Sequence, residues 1–270
     1  MCDLQLLDIQ SVYGDLQKSN LSSRTIRYAH SVLSMALKQA VTWNLLVKNP
    51  YSYVDLPRHE KKEMKAFSKE EAKRFIEAAK QDTLGIILEC ALTTGMRPEE
   101  YLALQWSDID LNYGTATVQR ALVWRKGGGW MFKAPKTKSS RRSIPLPLQL
   151  LNKIKSHRIR QAENRLKLGG AYENNNLVFA TDLGTPIRYG NLDKRHFRPT
   201  LKLADLPTDF RLYDLRHSCA TLLLAAGLNV KVVSERLGHA NIKMTLETYA
   251  HVLPGMQEDA TNQMAQMLYG

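Results

Sequence analysis

The sequence predicts a mainly α-helical chain with a small antiparallel β-sheet, an α+β fold, on three observations. Apolar residues recur at spacings of three and four through most of the 270 residues, the period of one helix face. Between positions 109 and 146 that period gives way to short β-branched and aromatic runs set around glycines. Ser, Pro and Gly residues of the kind that start and stop helices fall where the pattern changes.

From Ser22 to Asn44, the residues Ile26, Ala29, Leu33, Ala36, Leu37, Ala40 and Val41 line one face. A helix of about six turns is expected there, stopped by Asn49-Pro50. Pro57 to Lys65 is charged and almost free of apolar side chains, as an interdomain linker would be. The chain is therefore divided into a first domain over 1–58, a linker over 59–66 and a second domain over 67–270.

Ser68 and Glu71 form a capping box that opens a helix packing Ala72, Phe75, Ile76 and Ala79. A second helix is expected from Thr83 to Thr94, with Gly95 as its left-handed cap. Pro98 starts the next, so Arg97 is pinned at a turn between two helices. Thr115–Val118, Ala121–Trp124 and Ser143–Leu146 read as strands around Gly127-Gly128-Gly129 and a second turn.

Helices resume over Pro147–Lys167 and Asn191–Ala204, with the apolar run Leu177-Val178-Phe179 between them. Tyr213–Ala226 is expected to turn Leu215, Leu222, Leu223 and Ala226 inward and to end at Gly227. Val230–Leu237 follows, ended by Gly238. Met256, Ala260, Met264 and Met267 then form a stripe at helical spacing, suited to a neighbouring subunit's groove or to the chain's own domain.

Lys and Arg number 38 against 26 Asp and Glu, a net charge of +12, which favours an extended polyanion over a neutral metabolite as partner. Seven basic residues and no acidic one lie between Arg125 and Arg142. They are either a duplex-phosphate contact that releases counterions or a solvated hairpin tip. Cys2, Cys90 and Cys219 show neither paired nor metal-ligand spacing and read as reduced thiols. Asp3, Asp8 and Asp15 argue against a targeting peptide, and no apolar run approaches ~20 residues. A cytoplasmic protein with no membrane contact is expected.

Four residues stand out chemically: Tyr249, Arg97, Arg216 and His239. A phenol can attack phosphorus if guanidiniums and an imidazole neutralise the charge that builds on the non-bridging oxygens. Each also has an ordinary role open to it. Arg216 and Arg97 can pair with carboxylates, His239 can cap a helix, and Tyr249 can be a core tyrosine bonded to a carbonyl. No Gly-Lys-Ser/Thr phosphate loop and no carboxylate or histidine cluster with metal spacing is present, so no cofactor, metal or ATP is expected.

Taken together, Thr94-Gly95-Met96-Arg97-Pro98-Glu99-Glu100, Asp214-Leu215-Arg216-His217-Ser218, Leu237-Gly238-His239 and Tyr249-Ala250-His251 resemble, in order, the signature boxes of the tyrosine recombinases or phage-type integrases. The likeness covers most of the chain. It implies a site-specific recombinase, of mobile-element integration or excision type, that cleaves and rejoins DNA through a 3′-phosphotyrosyl intermediate. Tyr249 would be the nucleophile, and Arg97, Arg216 and His239 the phosphate clamp. Lys136 would be the general acid, from a lysine-bearing β-turn spanning Lys136 to Arg142. Lys138 is the lesser choice for that role. Glu100 and His217 would be supporting residues, and Arg125, Lys126, Lys133, Lys138, Arg141 and Arg142 would contact DNA.

Tyr213 departs from the pattern, because the position three before the second arginine is usually histidine or lysine in that family. A tyrosine there can hydrogen-bond a phosphate but is no imidazole base. His217, adjacent to Arg216, is expected to point elsewhere, since neighbours on a helix diverge. The resemblance further implies a tyrosine-recombinase-like catalytic domain preceded by a partial helical DNA-binding domain, as in a truncated member or a fragment. Double-stranded DNA would be the partner of a homo-tetramer that is monomeric in free solution. The competing expectations are a catalytically impaired DNA-binding protein of the same fold, prompted by Tyr213, and a basic interaction protein unrelated to DNA.

Overall fold

The structure, a computed structural model, describes residues 5–49, 51, 54–58, 64–135, 138–249 and 256–269, with the backbone alone at 138, 256–260 and 263. Two units divide the chain, Met1–Glu63 and Met64–Gly270.

In the first unit, α1 (Leu6–Lys18) starts where the Gln5 N–H donates to Asp8 Oδ2 at 2.8 Å. The sequence patterning does not mark this helix. α2 (Ser23–Thr42) begins under the Ser22 hydroxyl, which accepts from the Thr25 N–H at 3.2 Å. It ends two residues short of the expected Asn44, because Asn44 takes a left-handed φ of +56°. Ile9, Tyr13, Ile26, Leu37 and Tyr51 make a small core, while Tyr28, Met35 and Trp43 are exposed.

In the second unit, α3 (Lys69–Ala79) carries the expected capping box. The Ser68 N–H donates to Glu71 Oε2 at 2.7 Å, and Ser68 Oγ accepts from the Glu71 N–H at 3.2 Å. α4 (Gly85–Thr94) starts two residues later than expected, after a turn in which Asp82 accepts from the Leu84 N–H. Gly85 packs onto α3 so tightly that an added Cβ would lie 1.7 Å from the Ala79 carbonyl oxygen. α5 (Pro98–Tyr101) follows directly.

The expected single sheet is two. β1 (Ile109–Asp110), β2 (Thr115–Val118) and β5 (Arg142–Pro145) form one antiparallel sheet in the order β1-β2-β5. β3 (Ala121–Trp124) and β4 (Trp130–Lys133) form a separate hairpin. The three consecutive glycines at 127–129 all have positive φ, and they return the chain onto β3 at once, so Trp130 faces Trp124 and β3 is unavailable to the larger sheet.

α6 (Leu148–Leu168) leads to Leu177, which makes only an isolated bridge to Gln105. α7 (Tyr189–Leu192) runs through a π-helical turn, Asp193–Phe197, into α8 (Arg198–Leu203). Then come α9 (Asp214–Ala225), α10 (Val230–Leu237), α11 (Ile242–Tyr249), which patterning had not marked, and α12 (Met256–Tyr269). Leu215 is buried as expected, but Ala226 is exposed at the end of α9 and Leu224 is buried instead. The helix stops at Ala225, so position 226 no longer follows its inward face. Cys90 and Cys219 are buried free thiols, and Cys2 lies outside the described residues. Among the described residues no helix is long and apolar enough to cross a membrane.

Candidate active site

Arg97 occupies the extended N-cap position of α5, between the left-handed Gly95 that closes α4 and the Pro98 that opens α5. That local grammar fixes its backbone. Its N–H donates to Glu100 Oε2 at 2.8 Å and its guanidinium to Oε1 at 2.8 Å. Glu100 is shared: Arg142 Nη2 donates to the same carboxylate at 2.8 Å. Burial alone would raise the Glu100 pKa, but the bonds and charges of Arg142 and Arg97 outweigh it and hold the carboxyl below its ordinary range.

Arg142 ties three elements together. From β5 it reaches Glu100 on α5, and its Nε donates at 2.6 Å to the Arg236 carbonyl in the last turn of α10, where a cation suits the helix end. Gly238 leaves room for it, since a Cβ there would lie 2.7 Å from Arg142 Nη1. The sequence grouped Arg142 with the DNA-contacting basic hairpin. Its side chain is instead only 7% exposed and paired with Glu100, apart from the exposed cations of the hairpin.

Arg216, on the inner face of α9, is 1% exposed. Its Nη1 donates to the Gly95 carbonyl at 2.8 Å, and among the described residues Nη2 has no hydrogen-bond partner and no carboxylate pairs with the side chain. Burial and the nearby charge of Arg97 push its pKa down to about 10. Two guanidiniums, of Arg97 and Arg142, thus pair with Glu100, while Arg216 beside them adds a third charge with no carboxylate paired to it among the described residues. A buried surplus of positive charge is costly unless an anion joins it.

His239 serves twice. Its backbone N–H donates to the Ser234 carbonyl at 3.1 Å, a helix-closing bond open to any residue at that position. The side chain is held by Thr245 Oγ1, 2.8 Å from Nδ1. Burial first, then the charges of Arg216, Arg97 and Arg142, push its pKa down to about 4. Thr245 escaped the sequence reading, although it stands four before Tyr249 and one turn away on α11, and both are buried.

Tyr249, at the last position of α11, is 2% exposed and packs on Ala220, Leu224, Val233 and Leu237. Among the described residues its hydroxyl bonds to no carbonyl but to His217, whose Nδ1 lies 2.8 Å away. Burial raises the phenol pKa, and Arg216 opposes the shift. His217 and Arg216 do diverge, but His217 meets the tyrosine directly, a contact that its adjacency to Arg216 does not predict. The half-buried Tyr213 ring lies 5.3 Å from the His217 ring. The informative spacing is that of Tyr213, at the N-cap of α9, to His217 one turn along.

Lys136 lies outside the described residues, and Lys138 begins the short helical turn Lys138–Ser140. Arg125, Lys126, Lys133 and Arg141 are exposed. The structure thus gathers Arg97, Glu100, Arg142, Arg216, His217, His239 and Tyr249, and leaves Arg125, Lys126, Lys133 and Arg141 exposed. A phenol beside an imidazole and a buried cationic cluster has the parts for nucleophilic attack on a phosphate ester.

The model of the phage integrase family matches residues 65–256. A tyrosine recombinase XerC-like protein of Caldanaerobacter subterraneus subsp. tengcongensis is 35% identical, with 95% of this chain and 70% of that protein covered. The ICEBs1 integrase of Bacillus subtilis is 31% identical over 94% of this chain and 68% of its own. Among solved structures, the Tn1549 transposon integrase in complex with a circular intermediate DNA is similar in fold, with a TM-score of 0.82, 22% identity, and coverage of 99% of this chain and 86% of that one.

Proposed function

The chain belongs to the phage integrase family and is a site-specific DNA recombinase, and we propose that Tyr249 carries its chemistry on double-stranded DNA. The observation that supports this most is Arg216, a buried guanidinium with an unpartnered N–H and no carboxylate of its own among the described residues. A phosphodiester supplies the missing charge.

In the proposed reaction the Tyr249 oxygen attacks the phosphorus in line and the 5′ oxygen leaves, giving a 3′-phosphotyrosyl link. Arg97, Arg216 and His239 stabilise the charge on the non-bridging oxygens. Glu100 and Arg142 hold Arg97 in place. Lys136, assigned by resemblance alone, protonates the leaving oxygen. A 5′-hydroxyl from the same or a partner strand then attacks the link and restores the DNA, with bond energy conserved and no ATP consumed. The exposed basic hairpin adds sequence-independent grip on the duplex. A monomer in free solution that forms a tetramer on DNA, in the bacterial cytoplasm, completes the reading, with α12, whose Met264 and Met267 are exposed, as a subunit contact.

The test is a suicide DNA substrate resolved on a denaturing gel. The wild-type chain should trap a covalent adduct, and Tyr249→Phe should trap none while still retarding the DNA in a native gel. An adduct in the phenylalanine variant moves the nucleophile elsewhere. Retardation with no adduct from either protein would favour the DNA-binding reading that Tyr213 prompts.

A further inference from the structure

We infer that His217 is the proton acceptor that activates Tyr249, taking up the work of the imidazole that position 213 lacks. The inference rests on Tyr249 being the nucleophile.

The contact is direct, 2.8 Å from His217 Nδ1 to the Tyr249 hydroxyl, with the two rings 5.9 Å apart and inclined at 55°. The distance is that of a hydrogen bond ready to transfer its proton. The two residues come from different elements, α9 and α11, so the pairing is not a by-product of helix geometry. Tyr213, the N-cap of α9, and His217 stand one turn apart, so exchanging an imidazole at one position for the other displaces it by a single turn. The Tyr213 ring packs beside His217, with the two centroids 5.3 Å apart.

With its proton on Nε2, the His217 ring presents the Nδ1 lone pair to the phenol. The Oη–H bond breaks, its proton passes to Nδ1, and the freed electron pair forms the bond from Tyr249 to phosphorus. The bond from phosphorus to the 5′ oxygen breaks, and that oxygen leaves with its electron pair and takes a proton from the general acid. In the rejoining step the imidazolium returns its proton to Tyr249.

The charges around His217 suit this use. Burial pushes its pKa down to about 4, Asp214 opposes the shift, and Arg216 and Arg211 reinforce it, so the lone pair is free at neutral pH. On the other side stand Tyr249, Tyr213 and His239. A phosphodiester seated on Arg216 offsets the cation that disfavours the imidazolium, making His217 more basic at the moment the substrate arrives. Without DNA the phenol, raised by burial, keeps its proton.

The experiment is single-turnover cleavage of a suicide duplex by the full chain from pH 5.5 to 9.5, with native-gel DNA binding and circular dichroism on each variant. The wild-type rate should be level above about pH 6, because His217 is already unprotonated there. His217→Gln keeps a hydrogen-bonding side chain but no base. It should fold and bind DNA as the wild type does, and cleave about 10²- to 10³-fold more slowly at pH 7. Its rate should climb about tenfold per pH unit toward pH 9, as hydroxide replaces the base.

A His217→Gln rate within threefold of wild type, or a loss equal at every pH, overturns the inference and leaves His217 a packing residue. His217→Asn is read by the same criteria, so a folding failure of one variant does not decide the outcome. An adduct formed by Tyr249→Phe would instead overturn the nucleophile assignment itself, which separates the two failures.

Discussion

In the β3–β4 hairpin, Arg125, Lys126 and Lys133 stand in solvent, whereas in the same unit Arg97 and Arg142 are drawn onto Glu100 and Arg216 is buried against the Gly95 carbonyl. The charge is of one sign in both places, but the cost differs. An exposed cation keeps its water, and its pull on a phosphate is screened within about 8 Å at physiological salt. A buried guanidinium gives up that water, so its position has to be held by partners such as Glu100 and the Gly95 carbonyl. On the proposed function, surface charge sets how tightly DNA is held and buried charge sets how fast it reacts.

The largest effect that would break this distinction is expected at Arg216. Arg216→Lys keeps the charge but loses the planar fork, and should slow single-turnover cleavage by about 10²- to 10³-fold while DNA binding changes little. A lysine variant that cleaves at the wild-type rate would mean that the buried cation acts as a simple point charge, no different from the hairpin's.

Next comes Glu100→Gln. Removing the shared carboxylate leaves the Arg142 guanidinium buried without its counter-charge, a loss of about 3 kcal/mol read from urea unfolding midpoints. Arg142→Met added to that variant should recover part of the stability, because the uncompensated charge goes with it. An unchanged midpoint in Glu100→Gln would show that solvent already screens the pair.

The smallest effect sharpens the other side. With Arg125, Lys126 and Lys133 all changed to alanine, the rate of cleavage once bound should hold. Affinity should weaken, and the slope of log K against log salt should shrink by about 3 if each residue neutralises one phosphate. An unaltered slope would take the hairpin off the DNA.

The parts of the site legible in the sequence were those set by bonds over three or four residues. The Ser68–Glu71 box, the left-handed Gly95 and the Pro98 start are local agreements between side chain and backbone, and they were enough to place Arg97 at a helix entrance. The β3–β4 hairpin was half visible: the glycines marked a turn, but pairing partners are chosen by which strands the turn brings back together. Arg142 looked like its basic neighbours because sequence shows charge and not burial. Its bond to Glu100 spans 42 residues, and that from Arg216 to Gly95 spans 121.

His217 is the clearest case. Adjacency to Arg216 correctly said that the two side chains diverge, but it could not say what would meet the second one. Helix periods and caps encode backbone conformation and facing because those depend on near neighbours. The succession of family boxes likewise lay in the sequence alone, and with it the likeness to a recombinase and the choice of Tyr249. Which charges lose their water, and that an imidazole from α9 meets the phenol at the end of α11, were decided by tertiary packing, because desolvation and contact depend on whatever distant segment is laid over a residue.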